Sequence, residues 1–141
     1  MSGALRFAGY AAIFDRVDRG GDIVRKGAFA RAVRAGPARL PLLWQHDART
    51  PIGRIESLAE DARGLRVIGR LSCRTTAGRE AAALLGEGAI GGLSFGYRVR
   101  DAVHGTNREL IDLDLIEVSL VTFPMQPKAR VHAVAEDAAS R

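Results

Sequence analysis

Residues 91–100, Gly-Gly-Leu-Ser-Phe-Gly-Tyr-Arg-Val-Arg, open an apolar alternating run behind a pair of glycines. Read as a strand, Leu93, Phe95, Tyr97 and Val99 share one face, and Ser94, Gly96, Arg98 and Arg100 share the other. Ser94 therefore starts on the less crowded face, and Gly96, two residues along it, leaves open space beside the hydroxyl. Two readings stand at this point: a nucleophile that a substrate chain approaches, or a serine satisfied at a strand end beside a turn. The same residues spell G-x-S-x-G, the nucleophile elbow of α/β-hydrolases, which requires a strand before the serine and a helix after it. Here the order is reversed, and 141 residues are short for a large doubly wound sheet, so the elbow is excluded.

Upstream, Thr75-Thr76 supplies an N-cap for a helix over Ala77–Leu85, which Gly86 and Gly88 end before the chain reaches Ser94. Downstream, Gly105–Asn107 turns the chain into Glu109–Phe123, the longest strand-like run, which Pro124 and Pro127 terminate. In that run Leu113, Leu115, Glu117, Ser119 and Val121 alternate onto one face, so Glu117 is a carboxylate among apolar neighbours. Such a group must be paired, with an arginine or with a catalytic base; Asp112 and Asp114 fall on the opposite face.

Earlier in the chain, residues 4–14 read as a strand with a bulge at Gly9, followed by the polar run Asp15–Asp22 and a short helix over Ala28–Arg34. Asp15, Asp18 and Asp22 lack the spacing and closing Glu of a calcium loop and read as a solvated turn. Leu40–Asp47 reads as a strand that places Leu40, Leu42, Trp44 and His46 on one face. His46 ends an apolar stripe, as a structurally satisfied side chain or a catalyst. His104 lies in a turn-like segment and His132 near the C-terminus. Pro51–Leu58 and Gly64–Leu71 read as two strands joined by a polar hairpin.

Length is that of one domain with a single core. Cys73 is the one cysteine, which excludes an internal disulfide and a thiolate zinc cluster and suits a reducing compartment. No apolar run reaches transmembrane length and no leader pattern is seen, so the expected location is cytosolic. The net charge of +5 is unevenly spread, with a balance of +6 in residues 1–70 and −1 in residues 71–141. It permits an acidic partner, but the arginines are scattered, with no basic helix, zinc finger or aromatic RNA platform, so nucleic acid is not the expected partner. Six or seven strands and two helices without strand-helix alternation give a mainly β (α+β) class, an antiparallel sheet closed or packed on itself with peripheral helices.

The sequence resembles the prohead (capsid maturation) proteases of tailed phages, serine peptidases related to herpesvirus assemblin. The resemblance runs through Gly9-Tyr10-Ala11 with Phe14-Asp15, Gly21-Asp22 with Gly27-Ala28-Phe29, and Leu43–Asp47 with Pro51-Ile52-Gly53. It continues in Gly92–Tyr97 and in Leu115–Val121 closed by Pro124. It departs at Lys26, where the family often has proline, and at Met125-Gln126, which replaces the usual Ala-Asn. The resemblance implies a small assemblin-like antiparallel β-barrel flanked by helices, with residues 1–132 the single protease domain; residues 133–141, small and polar, read as a disordered tail. It implies a Ser-His-Glu triad: Ser94 as nucleophile, His46 as general base, Glu117 orienting the imidazole. No cofactor or metal is called for. The implied substrate is scaffold or the scaffold-like segment of the major capsid protein of a phage, prophage or gene-transfer particle. The implied setting is the procapsid assembling in the bacterial host cytoplasm. A homodimer or concentration-dependent oligomer is expected, with Ala81, Ala82 and Ala83 of the Ala77–Leu85 helix either forming its contact or only packing on the barrel. Were Glu117 out of reach of His46, Asp47 or Asn107 would take its place. The competing classes are a catalytically inactive assembly or scaffold protein of the same fold and a small basic β-barrel nucleic-acid binder.

Overall fold

Alternating apolar and polar side chains carry most of the chain into strands, and a computed structural model describes residues 4–136. In chain order the elements are β1 (Leu5–Ile13), β2 (Asp22–Val24), α1 (Ala30–Ala35), β3 (Pro41–Trp44) and β4 (Asp47–Glu60). There follow β5 (Gly64–Leu71), α2 (Thr76–Gly86), β6 (Gly92–His104), β7 (Arg108–Val121) and β8 (Val131–Glu136). The mainly β class with two helices is as expected.

The antiparallel barrel is corrected to an open, mixed sheet. Strands β4, β5, β1 and β8 pair antiparallel in succession, and β6 runs antiparallel to β7. On its other edge β7 pairs in parallel with β3 through residues 118–120 and with β2 through residues 108–110. Between β6 and β8 the ladder is reduced to an isolated bridge, Gly92 with Arg130. There Leu93 N–H donates to Ala129 O (2.8 Å) and Val131 N–H to Gly91 O (2.9 Å). Gly9 lies under this seam, where a Cβ would stand 2.5 Å from Arg130 O and 2.8 Å from Leu93 Cδ1. The β1–β8 register shifts between Ala8 and Gly9 because His132 of β8 is an extra residue, and the bulge of β1 itself falls at Ala11, against β5, not at Gly9 as expected.

Inside the sheet lie Leu42, Ile52, Ile55, Leu65, Val67, Leu71, Leu93, Leu110, Leu113, Val118 and Leu120, each burial worth roughly 1.5–3 kcal/mol relative to exposure. Helix α2 begins where the Thr75 side chain accepts from Gly78 N–H, and it closes the core with Ala81 and Leu85. Its three alanines do not form one surface: Ala81 is buried, Ala82 half-buried and Ala83 exposed. Helix α1 starts two residues later than expected. The Glu60 carboxylate takes the N–H groups of Gly27 and Phe29, both at 2.8 Å, and Ala28 and Phe29 are fully buried beneath.

A second correction concerns the C-terminal segment. Ala133–Glu136 belongs to β8 and pairs with Leu5–Ala8 of β1, so a disordered tail does not begin at Ala133. Residues 137–141 of that expected tail lie outside the described residues.

The third correction decides where the site is. The β6–β7 register runs Gly96 with Glu117 and then Tyr97 with Leu115, so Ile116 is an extra residue, a β-bulge. Across the bulge the alternation inverts. Leu113 and Leu115 join the core side with Val118 and Leu120, whereas Glu117 and Ser119 turn to the outer face. The single face expected for Leu113, Leu115, Glu117, Ser119 and Val121 is thus split.

Candidate active site

On β6 the expected alternation holds up to Tyr97: Leu93, Phe95 and Tyr97 contact the core, and Ser94 and Gly96 face outward. Directly opposed residues of an antiparallel pair share a face. The register sets Ser94 against Ser119 and Gly96 against Glu117, so Ser94, Glu117 and Ser119 form one patch on the same face of the strand pair, all three buried. Gly96 is what lets the carboxylate in, since a Cβ there would meet Glu117 Oε2 at 2.5 Å and its Cγ at 3.0 Å.

His46 reaches this patch from a turn, not from the strand expected over Leu40–Asp47. Trp44 pairs with Asp47, leaving Gln45 and His46 as a two-residue hairpin loop, with φ of 53° and 62°. Both residues therefore occupy the left-handed region, which such a hairpin demands and which non-glycine residues seldom adopt. The loop is held by β7 and the residue that follows it. Gln45 N–H donates to Leu120 O (3.0 Å), and its side chain donates to Thr122 Oγ1 (2.6 Å) and accepts from Thr122 N–H (3.1 Å). His46 N–H donates to Ser119 Oγ at 3.0 Å.

The His46 ring meets Glu117 at 2.6 Å, Nδ1 to Oε2. An ionised carboxylate only accepts, so Nδ1 carries the proton and Nε2 is left as the basic nitrogen of the neutral ring. The hydrogen bond to Glu117 raises the His46 pKa above its ordinary value, partial burial opposes the rise, and the Glu117 charge adds to it. The other oxygen, Glu117 Oε1, accepts from Ser119 Oγ at 2.7 Å. Glu117 is 8% exposed and Ser119 is fully buried. The substitutes for Glu117 are engaged elsewhere: Asp47 with Arg49 and Thr50, Asn107 with Gly21 O. His132 lies against the Tyr10 ring.

Ser94 shares the patch, but among the described residues no hydrogen bond joins it to His46. Its Oγ accepts from Met125 N–H at 3.3 Å, and it borders a cleft shared with Phe95, Tyr97, Met125, Asp18 and Gly20. Gln126, only 5% exposed, brackets Ile13 of β1, accepting its N–H and donating to its C=O, both at 2.8 Å. The loop that carries Met125 is thereby tied to β1. The sequence marked Met125-Gln126 only as a departure from a pattern, and it passed over Ser119, whose signal was its i+2 position beside Glu117 on the same face. At the edge of the cleft, Arg108 forks onto Asp22 (3.0 and 2.7 Å) and, through these bonds above all, holds the Asp22 carboxyl below its ordinary range.

In fold, the chain is similar to the herpesvirus proteases. Kaposi's sarcoma herpesvirus (KSHV) protease, solved in complex with a hexapeptide phosphonate inhibitor, superposes with a TM-score of 0.65 at 14% identity, covering 96% of this chain and 66% of that one. Varicella-zoster virus protease gives a TM-score of 0.56 at 16% identity, with 96% and 64% covered. In sequence, the prohead protease of Enterobacteria phage HK97 is 31% identical over 133 residues, which is 91% of this chain and 59% of the phage protein. The chain thus spans less than two-thirds of the length of these relatives. The family model for caudovirus prohead serine proteases matches residues 2–140, and the chain belongs to that family.

Proposed function

We propose that this chain is a serine endopeptidase that trims scaffold, or the scaffold-like segment of the major capsid protein, during procapsid maturation in the bacterial host cytoplasm. The observation that carries the reading is the 2.6 Å bond between His46 Nδ1 and Glu117 Oε2, on the face of the strand pair that also carries Ser94. Membership in the prohead protease family supports the choice of substrate.

Ser94 is the nucleophile in this reading, His46 the general base and Glu117 the orienting carboxylate. Substrate entry frees Ser94 Oγ from Met125 N–H, and a change of χ1 rotamer turns it toward His46. As Oγ bonds to the scissile carbonyl carbon, its proton passes to Nε2, and the ionised Glu117 stabilises the imidazolium. The carbonyl oxygen gains the negative charge and takes the vacated Met125 N–H, a donor of the kind worth about 3–4 kcal/mol in the transition state. The imidazolium gives its proton to the leaving amine as the C–N bond breaks. Water, deprotonated by the same nitrogen, then hydrolyses the acyl-enzyme, and Ser94 recovers its proton. A second copy docking on the exposed side of α2, around Ala82 and Ala83, completes the proposal and ties activity to local concentration.

The test is co-expression with the neighbouring capsid protein, with and without Ser94→Ala. A shortened capsid band that disappears in the variant is expected. Persistence of that band in Ser94→Ala overturns the assignment. No shortened band with the unaltered chain leaves the inactive assembly protein as the better reading, or, if the chain binds DNA with steep salt dependence, the nucleic-acid binder.

A further inference from the structure

We infer that Ser119 is the positioning residue of this site, its one hydroxyl tying the Glu117 carboxylate and the His46 turn to a common atom. The inference rests on the peptidase reading above. Four links close a ring. His46 N–H donates to Ser119 Oγ (3.0 Å), Ser119 Oγ–H donates to Glu117 Oε1 (2.7 Å), and Glu117 Oε2 meets His46 Nδ1 (2.6 Å). The His46 backbone, from which the ring hangs, completes it.

Each link has a physical role. The terminal torsion of a glutamate is broad, so a carboxylate held only by an imidazole can swing; a second donor on the other oxygen fixes its plane. The His46 backbone, at φ 62°, needs an acceptor for its N–H to stay in that conformation, and Ser119 provides it. Ser119 is fully buried, so its proton and lone pair have no competing water. Linked hydrogen bonds in such a setting strengthen one another. Ser119 is no rival nucleophile, because its proton is committed to Glu117 and its oxygen has no exposed surface.

The experiment uses the full chain with Ser119→Ala, and with Ser119→Cys as a variant of nearly unchanged volume but weak donor strength. Cleavage kinetics are measured beside NMR titration of the His46 ring. In Ser119→Ala we expect kcat to fall on the order of 10- to 100-fold with KM little changed, and the His46 titration midpoint to move down as the carboxylate slackens. Ser119→Cys should follow in the same direction and keeps the test open if the alanine variant fails to fold. A folded variant whose His46 titrates as in the unaltered chain overturns the inference, even if kcat falls, since a merely structural serine would leave the ring unaffected. The titration reads out without catalysis, so a chain that cleaves nothing would sink the peptidase reading while still deciding this one.

Discussion

Adding one methyl group at Gly96 should disable the site while leaving the fold standing. An alanine Cβ there would lie 2.5 Å from Glu117 Oε2, 3.0 Å from its Cγ and 3.1 Å from its Cδ. Ordinary carbon–oxygen contact needs the carboxylate to withdraw by about 1 Å. The obstacle is the far end of a flexible side chain, so the strand pair can keep its register and the carboxylate gives way instead. The bond to be lost is the 2.6 Å contact with His46 Nδ1, and a displacement of ~1 Å at a catalytic group can cost about 10²-fold in rate. Gly96→Ala should therefore lower kcat on that order with KM nearly constant. The His46 titration midpoint should fall, because the Glu117 hydrogen bond that raises it is gone. Peptide cleavage kinetics, the NMR titration and a thermal melt check all three. Unaltered kcat in a well-folded Gly96→Ala would refute the reasoning, since it would mean that the His46–Glu117 contact is irrelevant to the chemistry.

In the proposed mechanism His46 acts as a base only when neutral, so its raised pKa should put the acid limb of kcat/KM above about pH 6.5. Glu117→Gln should move that limb down while cutting the rate by up to about 10⁴-fold; an unmoved limb in the pH–rate profile would contradict this. The same shift has the opposite sign for stability. The protonated His46–Glu117 pair stabilises the fold fully below about pH 6.5, and the benefit is lost as pH rises through the folded-state pKa, so the melting temperature should decline slightly there in the unaltered chain and not in Glu117→Gln. With the ring 46% exposed, solvent screening keeps the effect small. Ser94→Ala and His46→Ala should each abolish processing without unfolding the protein, and the double variant should be hardly worse than either; additive losses in single-turnover rates would mean that the two do not act together. If a second copy docks on α2, specific activity should rise with enzyme concentration and Ala83→Glu should flatten that rise, whereas a flat dependence in the unaltered chain would make the monomer the active species.

Local alternation made most of the strands legible, and the Ser94–Gly96 face could be read because β6 is regular over that stretch. What could not be read depends on partners distant in sequence. The parallel pairing of β3 with β7 joins residues 42–44 to 118–120, and short stretches carry no local mark of such a partner. The bulge at Ile116 inverts the face of everything before it, yet Ile116 sits in an unbroken β-prone run. The Gln45–His46 turn lacks the Asn-Gly or Gly signature of its type, since its left-handed backbone is held by contacts with β7 and Thr122. Glu117 was legible as a buried carboxylate needing a partner. Ser119 was not, because a serine in a strand reads as filler until the register shows what its hydroxyl bridges. Met125 N–H is a backbone donor, invisible in any side-chain pattern, and its loop is held beside Ser94 by Gln126 on β1 and by Arg19 N–H on Met125 O.

The most direct test of the central claim is to treat the full chain with a serine-directed fluorophosphonate and map the adduct by peptide mass spectrometry. One adduct is expected, on Ser94 Oγ, formed faster as His46 loses its proton and absent in His46→Ala. Labelling of Ser119 or another serine in place of Ser94, or labelling of Ser94 that His46→Ala leaves unchanged, would contradict it.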